Sequence, residues 1–196
     1  MRATTLLTIL LGFKKTRVTG FGFSAGGLVL DVEPKTRTPY CAGCGRSVRA
    51  VYDRRARRWR HLDFAGMAVW LRYVIRRVDC PRCGVTTELV PWAEPGVWFT
   101  YPFEQLTAYL AQRADQTTVC KLMRIAWSTA GTIARRVVDR LQTGERLDGL
   151  RRVGIDELSY RRHHEYLTVV TDHDRGSVVW AAPGRNAETL RVSFED

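Results

Sequence analysis

Four cysteines stand as two Cys-x-x-Cys pairs, Cys41-Ala-Gly-Cys44 and Cys80-Pro-Arg-Cys83. Two such pairs can place four thiols where one tetrahedral Zn²⁺ gathers them. A glycine follows each pair, Gly45 or Gly84, and glycine readily takes the positive φ that turns backbone amides toward the sulfurs. The 35 residues from Gly45 to Asp79 exceed the usual finger spacing, so a folded insert must lie between the knuckles. Disulfides, a redox pair and a rubredoxin-like iron site are the competing chemistries. Duplication, the flanking glycines and the lack of a secretory signal favour structural zinc.

A second chemistry is carried by arginine. From Arg46 to Arg82 the chain holds 11 Arg against three Asp, within a whole-chain balance of 31 Lys+Arg to 20 Asp+Glu and a net charge of +11. Such a balance favours a polyanionic partner, nucleic acid first. The densest run supplies Arg54, Arg55, Arg57, Arg58 and Arg60 as candidate backbone contacts, because guanidinium forks suit phosphate oxygens. Trp59 or Trp70 can add stacking. A solvated charge run is the bland alternative.

These groups need elements to hold them. Arg17–Phe23 and Leu28–Glu33 read as a β-hairpin leading into the first knuckle, punctuated by Pro34 and Pro39. Between the knuckles a turn near Phe64-Ala-Gly66 precedes a strand over Val69–Val78. Alternation puts Trp70, Arg72, Val74 and Arg76 on one face and Val69, Leu71, Tyr73 and Ile75 on the other. Pro91, Pro95, Gly96 and Pro102 mark a linker whose aromatics, Trp92, Trp98, Phe99 and Tyr101, suit packing onto a neighbour. Helical spacing follows over Phe103–Ala114 (Phe103, Leu106, Leu110), over Thr117–Arg124 (Val119, Leu122, Met123; Thr117 or Thr118 as cap) and over Thr129–Leu141 with Ser128 as N-cap. The third helix turns Ala130, Ile133, Ala134, Val137 and Leu141 inward. Thr129, Gly131, Thr132, Arg135 and Arg136 then face out, and small polar residues at a helix start allow close approach to base edges. That is a helix-turn-helix pattern, against which an ordinary three-helix bundle stands as alternative.

Past a linker over residues 143–149, strands are expected at Val153–Glu157, Glu165–Thr171 and Ser177–Ala181, and a helix from Asn186 to Phe194. Asp172 and Asp174 read as turn residues between strands, and His163 and His164 as an exposed turn. The apolar stretch Leu6–Leu11 is too short for a signal core or a bilayer span. A reducing, cytosolic setting is therefore expected, with no membrane partner and with Cys120 as a small buried side chain.

The four cysteines, the tri-helical pattern, Gly154-Ile-Asp-Glu157, Tyr166-Leu-Thr-Val-Val170 and Gly184-Arg-Asn-Ala-Glu-Thr-Leu190 resemble the ISL3 family of insertion-sequence transposases over essentially the whole chain. The resemblance implies an α+β, multi-domain protein: a β-rich zinc ribbon over residues 1–95, a helix-turn-helix over 96–148, and over 149–196 the β-β-β-α start of a ribonuclease-H-like DDE domain. The family's first catalytic aspartate matches Asp156, whereas Glu157 points to the opposite face. Its second aspartate and its glutamate fall beyond Asp196, which implies a truncated, inactive catalytic domain. The implied cofactors are structural Zn²⁺ at Cys41, Cys44, Cys80 and Cys83 and catalytic Mg²⁺ or Mn²⁺ in a complete protein. The implied partner is double-stranded DNA at transposon terminal inverted repeats, in the bacterial cytoplasm at the nucleoid. Self-association is left open. Two other classes compete: a non-catalytic regulator occupying transposon ends, and a zinc-ribbon RNA-binding module.

Overall fold

A computed structural model describes residues 2–141, 149–161, 165–186 and 191. Among them are four helices and two sheets, divided between two compact units, residues 1–141 and 142–196.

In the first unit the opening apolar stretch forms helix α1 (Ala3–Leu11), stopped by Gly12 at φ 69. The expected hairpin follows as β1 (Thr16–Ser24) and β2 (Gly27–Pro34). The insert between the knuckles is one long hairpin, β3 (Val51–Phe64) and β4 (Met67–Cys80), turning at Ala65 and Gly66, both at positive φ. Short β5 (Gly84–Thr87) pairs with the end of β4. The two hairpins are joined by a parallel ladder, Leu28–Asp31 against Val69–Arg72, giving the order β1-β2-β4-β3.

The alternation expected for β4 is present. Val69, Leu71 and Ile75 are buried, and Arg72 and Val74 are exposed. The buried face packs with Val18, Leu28, Leu30, Val32 and Trp59 beneath α1 and the segment Val90–Ala93. Trp92 lies edge-on to both Trp59 and Tyr73, at 5.5 Å between ring centroids. This is the geometry in which aromatic pairs gain beyond their buried area. The linker aromatics therefore belong to two cores: Trp92 fills the sheet core, and Phe99 stacks on Phe103 at 5.1 Å in the helical one.

Helices α2 (Tyr101–Arg113), α3 (Gln116–Met123) and α4 (Trp127–Leu141) enclose Phe103, Ala108, Val119, Met123, Ala130, Ile133 and Val137. Several details differ from expectation. Asp115, rather than Thr117 or Thr118, caps α3 by accepting from the Thr118 amide, because a carboxylate at the first non-helical position reaches that orphan donor. Helix α4 begins at Trp127, so Ser128 lies inside it and its carbonyl accepts from Thr132 Oγ1. Leu122 and Leu141 are 59% and 71% exposed rather than turned into the core. Cys120 is half-buried rather than buried.

The second unit is an antiparallel meander of β6 (Val153–Arg161), β7 (Glu165–Asp172) and β8 (Ser177–Pro183). Central β7 buries Thr168, Val169 and Val170, while Ile155 and Leu158 of β6 stay exposed. His163, His164, the linker over residues 143–148 and most of the expected last helix lie outside the described residues.

Candidate metal centre and nucleic-acid interface

The long hairpin explains how the two knuckles meet. Cys41 and Cys44 precede β3 and Cys80 ends β4, so antiparallel pairing returns the chain to its starting end. The four Sγ atoms lie within 4.8 Å of one another, and Cys44 Sγ is 3.7 Å from Cys80 Sγ. A tetrahedral ion with metal–sulfur bonds of about 2.3 Å requires sulfurs about 3.8 Å apart, a separation that Cys44 and Cys80 already have. All four cysteines are free thiols, which sets aside the disulfide alternative for this arrangement.

Backbone geometry supports the knuckles. Gly45 and Gly84 take φ of 71 and 69, and the Gly45 amide donates to the Cys41 carbonyl at 2.9 Å. Amides of Arg82 and Cys83 donate to Cys80 and draw its thiol down to about 7. Cys83 is pushed the other way, to about 12, chiefly by its bond with Cys44. Thiolates this close repel one another unless a cation sits among them. Gly43 is a further requirement that sequence spacing does not reveal: a Cβ there would lie 3.0 Å from Cys83 Sγ.

The metal end and the arginines are wired together. Segment Thr87–Leu89 hydrogen-bonds to the first knuckle, Ala42 donating to the Thr87 carbonyl at 3.0 Å and Leu89 to that of Tyr40 at 2.8 Å. Between them Glu88, fully buried, accepts from Arg76 Nε at 2.8 Å and from Tyr73 Oη at 3.0 Å.

Strand alternation splits the arginine run that the sequence presents as one patch. Arg54 and Arg58 stand opposite Arg76 and Arg72 on the open face, whereas Arg55 and Arg57 stand opposite Ile75 and Tyr73 on the other. Arg54, Arg55 and Arg58 are exposed. Arg57 is drawn in: it donates to the Val97 carbonyl at 2.9 Å, and its guanidinium sits 4.3 Å from the Trp98 ring centroid. Arg60 is 6% exposed and pairs with Asp63, beside the rings of Trp70 and Phe103. Of the five candidate backbone contacts, Arg60 is thus turned inward, its guanidinium closed in by its own carboxylate and two rings.

On α4, Thr132 and Arg135 are exposed and Thr129 is half-buried. Arg136 turns back into the bundle, where its Nε donates to buried Glu104 at 2.8 Å. Arg140 binds the other oxygen of Glu104 at 2.7 Å and also Glu94 at 2.8 Å.

In the second unit Asp156 is exposed on β6, its carboxylate accepting from the next amide, Glu157 N–H, at 2.8 Å. Asp172 caps the β7–β8 turn by accepting from the amides of Asp174 and Arg175, and Asp174 pairs with Arg152. Both are turn residues. Among the described residues, the four cysteines form the only group of three or more side chains placed to hold a metal ion.

Residues 37–83 match the family model described as the zinc-finger of transposase IS204/IS1001/IS1096/IS1165, and residues 153–196 match the ISL3 DDE model described as transposase. The chain matches the ISL3 family of transposases. Among its relatives, the transposase for insertion sequence element IS1557 of Mycobacterium tuberculosis is 49% identical over 158 residues, covering 79% of this chain and 35% of that protein. The transposase for IS1001 of Bordetella parapertussis is 28% identical over 172 residues, covering 86% and 42%. The chain thus spans well under half the length of these ISL3 relatives. No solved structure matches it. The matched cysteine segment contains the whole tetrathiol cluster, and the DDE match begins with β6, the strand that carries Asp156.

Proposed function

We propose that this chain is the DNA-binding part of an ISL3 transposase, recognising the terminal inverted repeats of its insertion sequence. A Zn²⁺ ion at Cys41, Cys44, Cys80 and Cys83 holds the ribbon, and α2 to α4 act as a helix-turn-helix with α4 as the reading helix. The residues from 149 onward begin a ribonuclease-H-like DDE domain in which Asp156 is the first catalytic carboxylate. Setting and assembly follow the family: the bacterial cytoplasm at the nucleoid, with self-association on paired ends. In this reading residues 1–95 and 96–148 act as ribbon and reading domains, joined into one binding unit.

The observation that carries this reading is the exposed side of α4. Ala130, Ile133 and Val137 are buried, which turns Thr132 and Arg135 to solvent, and Glu104 pins Arg136 so that the helix is held at a fixed rotation. A short polar side chain one turn before an arginine lets the helix sit deep in a major groove.

Divalent Mg²⁺ or Mn²⁺ in a complete DDE site activates the attacking oxygen and steadies the leaving one. Asp156 contributes one oxygen ligand. Its exposed place on β6, with only its neighbour's amide bound among the described residues, suits that carboxylate to do so.

The test is binding to labelled duplexes bearing the element's own ends against scrambled duplexes. Thr132→Ala and Arg135→Ala are expected to cost roughly 1 to 3 kcal/mol on the cognate end and little on scrambled DNA. Equal losses on both would remove α4 as the reader.

A further inference from the structure

We propose that the open face of the five-stranded sheet is a phosphate track for the DNA backbone, distinct from the reading helix. This inference rests on the DNA-binding reading above and names the surface that grips the duplex without reading it.

The face is a trough of about 530 Å³ running between the ends of β2 and the long hairpin. Its floor is a rung of small apolar side chains, Ala56 opposite Val74, the latter 51% exposed. Cation pairs flank the rung, Arg54 opposite Arg76 and Arg58 opposite Arg72. Arg54 and Arg58 are four residues apart on one strand, about 13 Å. One strand of B-DNA places a phosphate about every 3.4 Å of helix axis, so two cations at that spacing can each meet a different phosphate of one strand. Lys35 and Arg37, both exposed, line the side of the trough past β2.

Charge pairing sorts these cations into two kinds. Arg72 is held by Asp31 at 2.5 Å and Arg76 by buried Glu88, so both have fixed positions and neutralised charge. Arg54, Arg58, Lys35 and Arg37 have no carboxylate partner among the described residues, although Arg58 lies 4.9 Å over the Trp70 ring. Arg54, Lys35 and Arg37 line the trough and Arg58 continues the row along β3 beyond it, whereas the two carboxylates that also line it, Asp31 and Glu33, are each held by an arginine, Arg72 and Arg17. Such a row of open cations suits a linear phosphodiester. The floor meets sugars and the rims meet phosphates. An enclosed pocket would instead suit a small anion. The opposite face offers no such track, because it is the core, and Arg57 there is tied to Val97.

Fluorescence anisotropy of the whole chain on a labelled duplex of random sequence, across a KCl series, tests the track. Each lost phosphate contact lowers the slope of log K against log salt by about one. Arg54→Gln combined with Arg58→Gln is expected to lower the slope by about two, with metal content unchanged. Arg152→Gln, in the second unit and paired with Asp174, leaves it unaltered. If the double variant does not fold, Lys35→Gln with Arg37→Gln on the loop is expected to lower the slope by about two instead. A slope unchanged in the variants, while the parent chain binds, overturns the track and leaves the DNA-binding reading standing. A parent chain that does not bind duplex at all overturns both. RNA competing as well as duplex would also overturn the assignment to DNA.

Discussion

Glu104 of α2 and Arg136 of α4 form a 2.8 Å hydrogen-bonded ion pair in which the carboxylate is fully buried. Arg140 completes it from the next turn of α4. The pair fixes the rotation of α4 about its own axis, which apolar packing alone constrains weakly. Glu104→Ala leaves two guanidinium groups facing an empty site and is expected to destabilise residues 1–141 by on the order of 3 kcal/mol. Urea denaturation checks this, and a loss below about 0.5 kcal/mol would show that the pair is dispensable.

For the metal, the purified chain is expected to carry one zinc per molecule in reducing buffer. Cys80→Ser removes it and unfolds the knuckle end locally, since structural zinc supplies on the order of 10 kcal/mol of folding free energy in small domains. Gly43→Ala is a subtler probe. The added methyl presses on Cys83 Sγ, so metal affinity should fall while the hairpin persists. A zinc-free native chain would overturn the assignment.

A pH effect follows from His61. Burial, and to a lesser degree the neighbouring Arg60 charge, draws it from 6.5 down to about 4, and its Nδ1 shares a hydrogen bond with Thr100 Oγ1 at 2.8 Å. The folded value lies below the unfolded one, so the unfolded chain takes the proton first as pH falls. Stability from the neutral ring is complete above about pH 6.5 and is lost between there and about pH 4, on the order of 3 kcal/mol in all. His61→Gln should flatten that limb. Equal acid loss in the variant would point to other groups.

Among the described residues Asp156 bonds to no side chain, only to the next amide. Asp156→Asn is therefore expected to leave thermal stability within about 0.5 kcal/mol of the parent. In a full-length transposase carrying this strand, the same change should abolish metal-dependent cleavage while end binding persists. Cleavage that survives it would remove Asp156 from the catalytic set.

Much of this was legible because period and chemistry coincide. The alternation of Val69, Leu71 and Ile75 against Arg72 and Val74 announces both the strand and its buried face, and the two Cys-x-x-Cys pairs announce their meeting. The Arg54–Arg60 run was harder to read, since charge alone does not say which side of a strand faces a core. Arg57 and Arg60 are enclosed by Trp98, Trp70 and Phe103, of which only Trp70 lies within the hairpin itself. Glu104 was invisible for a similar reason. An acidic residue in a first helical turn reads as a favourable dipole contact, and only the tertiary approach of α4 reveals its buried pairing.

The long hairpin also acts as a ruler. Its strands of 14 residues each separate the cysteine cluster from the tip at Gly66, about 45 Å at strand rise. The tip carbonyl of Gly66 accepts from Arg124 at the end of α3. Replacing an exposed residue along the strands keeps the register, but deleting one residue from a single arm shifts it. That slip would move Cys80 away from Cys44 by one residue's rise and exchange the core and open faces of that arm. The hairpin should therefore tolerate substitution far better than insertion or deletion, and paired length changes in both arms better than a change in one.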